Sequence, residues 1–169
     1  VIGGALASGG AVALSHGRIV TILSAGNDAA KSFTVVGTDV NGDAQTESIT
    51  GANAGTATGT KYFLTVASIT AVGNPAGNVS AGVNASAADV IFAARSRLKG
   101  IYLTSTATAG TVDFLNTSPS GTSIMGLSSV GDADATRDVV IPEEGVVFSN
   151  GIYVQYTVSS FLTMTVFHA

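Results

Sequence analysis

Three oxygen-bearing side chains, Asp39, Asn41 and Asp43, alternate within the segment SFTVVGTDVNGDAQTESITG. Their spacing matches positions 1, 3 and 5 of an EF-hand calcium loop, whose ligands are carboxylate and amide oxygens. Such a loop also needs glycine at position 6 and an acidic residue at position 12. This chain has Ala44 and Thr50 at those two places, so the calcium pattern fails there.

The same segment has a second interpretation, which is a tight β-hairpin turn. Asn41 and Gly42 lie between two stretches in which apolar and polar residues alternate. An Asn-Gly pair at such a place favours a two-residue turn in which both residues take positive φ. We therefore predict a hairpin at Asn41 and Gly42, and a metal loop is the alternative.

A second group of carboxylates lies in GDADATRD, which contains Asp132, Asp134 and Asp138. These side chains could contribute to a calcium site, but calcium takes six to eight oxygen ligands and only three side chains are in view. Arg137 would also neutralise part of their charge. The sequence leaves open whether they hold an ion or form a solvated loop.

Residues suited to acid–base or nucleophilic catalysis are few in this chain. His16 and His168 are the only histidines, and cysteine is absent, which excludes disulfides and thiolate metal sites. Neither a Gly-x-Ser-x-Gly elbow nor a His-Glu-x-x-His motif occurs. His16, in LSHGR, is expected in an exposed turn. We therefore expect no enzymatic activity, no cofactor and no dedicated metal site.

Basic residues concentrate in ARSRLK, where Arg95, Arg97 and Lys99 supply three of the seven lysines and arginines. Alternate residues of a strand point to the same face, so these three side chains would form one basic strand face. That face is either solvated or a contact with an acidic partner, in which charge pairing sets register more than affinity. The three residues are therefore our candidates for a partner contact.

The elements that must position these residues are β-strands. Patterns with a helical period are almost absent, glycine occurs 21 times, and short alternating runs rich in Val and Thr end at Gly, Asn, Asp or Pro. We predict an all-β chain with antiparallel sheets of the β-sandwich or jelly-roll type. The predicted strands are 18–24, 32–39, 44–51, 61–72, 79–83, 89–94, 98–106, 110–116, 122–128, 137–142, 145–149, 151–158 and 162–169.

A boundary between two small modules is predicted in GVNASAAD, from Gly82 to Asp89, where small residues interrupt the alternation. We assign residues 1–85 to an N-terminal β module and residues 86–169 to a C-terminal β-sandwich module. A module of this size buries only about 60% of its chain surface when it is alone. Contacts with the other module or with neighbouring subunits would therefore add stability.

The composition favours a protein whose surface is covered by protein partners. Charged residues make up 11% of the 169 residues, while hydrophobic residues make up 46%; an average globular chain has about 25% charged residues. The net charge of -4 argues against nucleic-acid binding, which requires a basic surface. No apolar run approaches the roughly 18 residues of a membrane span, and no signal peptide is expected at Val1.

The segment FTVVGTDVNGDAQTESITGANAGTATGTKYFLTVASIT, from Phe33 to Thr70, resembles virion structural proteins of tailed bacteriophages. These proteins carry a TGTD-NG-A-TE-ITG-N stretch followed by KYF-TV-SIT. The C-terminal half, with LKGIYLTSTATAGTVDFLN and GVVFSNGIYVQYT, is similar to a compact β-domain that is often found in the same proteins. The resemblance brings no catalytic residues with it.

The resemblance implies three roles as expectations. The leading one is a capsid decoration or cement protein, a homo-oligomer and most simply a homotrimer, that binds the major capsid protein on the capsid exterior. The second is a neck, tail-tube or fibre-base component of the virion. The third is a carbohydrate-binding β-sandwich for host adsorption, which exposed aromatic residues on one sheet face would favour. None of the three involves nucleic acid or a membrane.

Overall fold

The structure, a computed structural model, describes residues 11–169, and nearly all regular structure in them is β. The prediction of an all-β chain is confirmed. Two compact units divide between Asn84 and Ala85. Strands of the first unit are β1 (Val12–Ser24), β2 (Ser32–Thr38), β3 (Ala44–Thr50), β4 (Thr56–Val72) and the beginning of β5 (Val79–Phe92). The second unit contains the end of β5 and β6 (Ser96–Ser105), β7 (Gly110–Asn116), β8 (Thr122–Ser129), β9 (Thr136–Val140), β10 (Val146–Phe148), β11 (Ile152–Thr157), a 3₁₀ turn (Val158–Ser160) and β12 (Phe161–His168).

The prediction of two separate strands, 79–83 and 89–94, around the segment from Gly82 to Asp89 is wrong. Strand β5 runs through this segment without a break, from Val79 to Phe92. Small side chains remove the apolar alternation by which a strand is recognised, yet they leave the backbone free to be extended. Ala87 and Ala88 are completely buried in this strand.

The first unit is one antiparallel sheet with the strand order β3-β2-β4-β1-β5. Strand β4 has two partners along its 17 residues: its first half pairs mainly with β1, as in Leu23 with Thr56, and its second half with β2, as in Ser32 with Val72. The buried cluster of this sheet draws on β1, β2, β3 and β4. Its members are Val20, Ile22, Phe33, Val35, Ile49, Phe63 and Val66.

Gly37 allows β2 and β4 to approach each other closely in the first unit. It lies beside an irregularity in the pairing of β2 with β4, between Val36 and Gly37. A Cβ atom at Gly37 would lie 1.9 Å from the carbonyl oxygen of Thr65, a distance that no side chain can occupy. Only glycine therefore fits at this place in β2.

The second unit contains two antiparallel sheets. The first, here called the β11 sheet, has the order β5-β11-β7-β8. The second, here called the β6 sheet, has the order β10-β6-β12, and β9 also pairs with β6. Strands β9 and β12 pair with the same stretch of β6, since Ile101 lies opposite both Val139 and Val166.

The core of the second unit receives side chains from both sheets, as in a β-sandwich. Strands β6 and β10 contribute from the β6 sheet, and strands β7 and β11 contribute from the β11 sheet. The buried members are Leu98, Ile101, Leu103, Phe148, Val112, Phe114, Ile152 and Val154. Because the inward residues of β6 and β12 pack on this core, the alternate residues of those strands face outward.

Candidate functional site

The hairpin predicted at Asn41 and Gly42 is present, because β2 and β3 are paired from Ser32 with Thr50 up to Thr38 with Ala44. The type of turn differs from the prediction. The N–H of Asp39 donates to the Asp43 carbonyl at 2.9 Å, and Gly42 N–H donates to the Asp39 carbonyl at 3.1 Å. Gly42 has a φ of +87°, while Asn41 is not among the described residues with positive φ. The loop thus has three residues and ends in a left-handed glycine.

The Asp39 side chain stabilises this turn. Its Oδ1 accepts the backbone N–H of Asn41 at 2.8 Å and that of Asp43 at 3.0 Å. A carboxylate that accepts N–H groups two and four residues later holds the chain in a turn. Asp39 therefore has a structural role within the hairpin.

The aspartates of the segment GDADATRD do not form a metal site either. Asp132, Asp134 and Asp138 are all exposed, and Asp134 has a φ of +58°. The loop is held through its backbone: Ser105 Oγ donates to the Asp132 carbonyl at 2.9 Å, and Asp134 N–H donates to the Ser105 carbonyl at 3.0 Å. Over residues 11–169, no three or more His, Cys, Asp or Glu side chains form a group that could hold a metal ion.

The two histidines occupy strands. His16 lies inside β1 and is half-buried, so the expected exposed turn is wrong; the Gly17-Arg18 pair after it is accommodated within the extended strand. His168 ends β12, where its ring lies 5.0 Å from the ring of Phe92 and its Nδ1 lies 3.3 Å from Ser96 Oγ.

The basic residues are divided by the start of β6. Arg97 and Lys99 lie in the strand, whereas Arg95 lies in the bend before it, so a single strand face with all three is wrong. Arg97 donates to the Glu144 carbonyl at 3.1 Å, and Lys99 Nζ donates to the Glu143 carbonyl at 3.0 Å. These two hydrogen bonds thus attach the turn that precedes β10 to strand β6.

Arg95 is exposed, and its side chain has no hydrogen bond or ion pair within the part of the chain that the structure describes. Of the three basic candidates, it is therefore the one that is available to a partner. The sequence could not distinguish it from Arg97 and Lys99, because the position of the Glu143-Glu144 turn depends on strand pairing.

Two buried carboxylates were not found from the sequence. Glu47 is 9% exposed and its Oε1 accepts from Thr60 N–H at 2.6 Å and from Thr60 Oγ at 2.9 Å. This side chain joins β3 to the first half of β4, two strands that are not neighbours in the sheet order. Asp28 is completely buried in a loop. Both residues accept hydrogen bonds from other segments of the first unit, Glu47 from Thr60 and Asp28 from Ala76.

The outer face of the β6 sheet carries exposed aromatic and aliphatic side chains. Residues of three strands lie side by side on it, because Tyr102 of β6 pairs with Asp138 of β9 and with Thr165 of β12. Tyr102 and Phe167 are 40% and 53% exposed on this face, and Val140 is 76% exposed. We call it the Tyr102 face; its members are Thr136, Asp138, Val140, Gly100, Tyr102, Thr104, Thr163, Thr165 and Phe167.

Comparison of the chain with protein-family models, with curated proteins and with solved structures gave no match. Within residues 11–169, no helix has the length and apolar character needed to cross a membrane.

Proposed function

We propose that this chain is a structural protein of a tailed-bacteriophage virion. In this proposal it is a decoration or cement protein, which binds the major capsid protein on the outside of the assembled capsid as a homotrimer. The observation that carries the proposal is the segment from Phe33 to Thr70. This resemblance falls on an ordered part of the first unit, since the segment forms β2, β3 and most of β4.

Two edge strands support a role in assembly. Strands β8 and β12 end their sheets, and their sequences, TSIMGLSS and FLTMTVFH, contain no Asp, Glu, Lys, Arg or proline. Soluble proteins usually protect their edge strands with such residues, because an unprotected edge can pair with another chain. Strands β8 and β12 could each be extended by a strand of a neighbouring subunit.

The other edges of the β6 sheet show the protection that β8 and β12 lack. Strand β9 contains Arg137 and Asp138 on a strand of only five residues. Strand β10 has three residues and follows Pro142, Glu143 and Glu144. The contrast within one sheet supports the view that β12 is left open for a partner.

The sparse charge of the chain and the small size of its units support the same role. Units of about 85 residues gain much of their stability from contacts with neighbours. A binding role, rather than a catalytic one, is what we propose for both units. A neck, tail-tube or fibre-base position is the alternative within the same virion.

The number of copies in each particle distinguishes these roles. Gel densitometry of purified virions should give several hundred copies for a decoration protein, whereas a neck or tail ring would contain about a dozen or fewer. Capsids stripped of the protein should keep their shape and burst at a lower temperature than complete ones. Equal burst temperatures together with a ring-like copy number would overturn the cement role, and absence of the protein from purified virions would overturn the virion role.

A further inference from the structure

We propose that β12 (Phe161–His168) pairs with β12 of a second copy of this chain, as antiparallel strands related by a two-fold axis at Thr165. The contact would join two β6 sheets into one continuous sheet. This inference goes beyond the virion role and does not depend on it, because it is argued from β12 and its sheet alone. A two-fold contact joins two like units, so between homotrimers it would link one trimer to the next.

Strand β12 is an edge that lacks the usual protection against pairing with another chain. The order β10-β6-β12 ends with it, and its sequence FLTMTVFH has no aspartate, glutamate, lysine, arginine or proline. Its pairing with β6 is irregular only near its two ends, so the stretch from Thr163 to Phe167 is regular. Strand β8, the other unprotected edge, is irregular in mid-strand at Ile124, and such a bulge hinders pairing. The better edge for a second chain is therefore β12.

The backbone groups on the open side of β12 belong to Met164 and Val166. Ser105 of β6 bonds on the side of β9, because its N–H donates to the Ala135 carbonyl at 2.9 Å. Since successive residues of a strand bond opposite neighbours, the even-numbered residues of β6 bond β12. The bonded pairs are Thr104 with Thr163, Tyr102 with Thr165, and Gly100 with Phe167. The N–H and C=O groups of Met164 and Val166 then point away from β6, towards a strand that could be added.

The axis lies at Thr165 because the regular stretch from Thr163 to Phe167 is centred there. With this axis, Met164 and Val166 exchange both of their backbone hydrogen bonds with Val166 and Met164 of the second copy. An axis at Met164 would instead bring Leu162, where the pairing with β6 is irregular, opposite Val166.

The side chains of β12 are complementary to those of a second β12 in this register. On the Tyr102 face, Thr165 lies opposite its own copy and Thr163 lies opposite Phe167, whose side chain is 53% exposed in the single chain. Threonine pairs and pairs of an aromatic with a β-branched residue are among the cross-strand contacts that stabilise antiparallel sheets. On the other face, Met164, which packs on the core, lies opposite Val166. Because β12 has no charged residue, self-pairing brings no like charges together, and this favours a second copy as the partner.

Cysteine cross-linking tests the proposal, because the chain has no cysteine of its own. Thr165→Cys in the full chain should form a disulfide-linked dimer on mild oxidation. Its Cα atom would lie about 4.5 Å from that of its copy, as in other pairs without hydrogen bonds between them, and a disulfide can span this distance. Thr163→Cys is the matched control, since Thr163 is exposed on the same face of the same strand. Its copy would be four residues farther along, roughly 13 Å away, so it should cross-link at least about tenfold more slowly.

Light scattering measures the same contact without a cross-link. Thr165→Lys places two like charges opposite each other at the axis and should halve the mass of the assembly, whether the unit joined is one chain of 16.7 kDa or a homotrimer. Ile124→Lys, on the edge strand β8, should leave the mass unchanged. Thr165 is exposed, and the two cysteine variants remain informative if Thr165→Lys does not fold.

Two results would overturn the proposal. One is equal cross-linking of Thr165→Cys and Thr163→Cys, and the other is a mass that Thr165→Lys does not reduce. A mass that Ile124→Lys reduces and Thr165→Lys does not would assign the pairing edge to β8 instead. All of these measurements use the purified chain, so their outcome is separate from whether the chain is found in virions.

Discussion

The buried carboxylate of Asp28 is joined to Ala76 by a hydrogen bond of 2.7 Å from the Ala76 N–H to Asp28 Oδ1, across 48 positions of sequence. Asp28 has no exposed surface, and its Oδ2 has no hydrogen-bond partner within the described chain. The Asp28 N–H also donates to the Ala52 carbonyl at 2.9 Å. One residue thus connects three loops of the first unit.

Replacement of Asp28 should show how much these hydrogen bonds contribute to the free energy of unfolding. Asp28→Ala leaves the Ala76 N–H without its acceptor and should lower the free energy of unfolding by about 2–3 kcal/mol, as for other hydrogen bonds to charged groups. Asp28→Asn keeps Oδ1 as an acceptor and should cost less. Urea denaturation measures both, with Asp132→Ala at an exposed position as the control. Equal effects of Asp28→Ala and Asp132→Ala would show that the connection is not needed.

Glu47 should stabilise the contact between β3 and the first half of β4. Its Oε1 accepts two hydrogen bonds from Thr60, and its Oε2 accepts the Lys61 N–H at 3.3 Å. Glu47→Ala should therefore lower the free energy of unfolding by about 2 kcal/mol or more, and Thr60→Val, which removes only the hydroxyl donor, by about 1 kcal/mol. Chemical denaturation of the two variants should give this order; a larger effect of Thr60→Val would contradict it.

Gly42 should be required for its backbone conformation and not for lack of space. Its φ is +87°, and a Cβ there would meet nothing within 4 Å. Gly42→Val should destabilise the chain by roughly 1–2 kcal/mol, because a β-branched residue resists positive φ. Gly55→Val is the control, since Gly55 lacks positive φ and a Cβ there would be 3.7 Å from the nearest atom. Similar melting temperatures for the two variants would disprove the argument.

The same hairpin should be indifferent to calcium. Asp39 Oδ1 is already used by the backbone N–H groups of Asn41 and Asp43. Addition of a calcium chelator should leave the melting temperature unchanged. A chelator-induced decrease that Asp39→Ala abolishes would restore the metal-loop interpretation.

Arg95 should matter for binding to the capsid if the proposed virion role is correct. Because its side chain has no partner in the described chain, Arg95→Glu should leave stability within about 0.5 kcal/mol. It should weaken rebinding to stripped capsids about fivefold at low salt, with a smaller effect at high salt because exposed charges are screened. Lys31→Glu, a charge reversal in the first unit, is the control. If Arg95→Glu and Lys31→Glu weakened rebinding equally, the cause would be the change in net charge and not the loss of a contact at Arg95.

The strand positions could be predicted from the sequence because they depend on neighbours along the chain. The alternation in GTVDFLN predicts Gly110–Asn116, which is the extent of β7. The Asn41-Gly42 pair predicts the hairpin of β2 and β3 for the same reason. Where the local signal is weak, as in the small residues of β5, the prediction failed although the strand is present.

The relationships between distant strands could be decided only by the tertiary structure. Asp138, Tyr102 and Thr165 form one row because β9 and β12 both pair with β6, and no local pattern states which strands pair or in which register. A shift of one residue in either pairing would turn Phe167 or Val140 to the core. Likewise, only the tertiary structure shows that Arg97 donates to the Glu144 carbonyl and that the Ala76 N–H donates to Asp28. The sequence by itself determined the β class and the local turns, and the packing of the strands determined which side chains lie together on the surface.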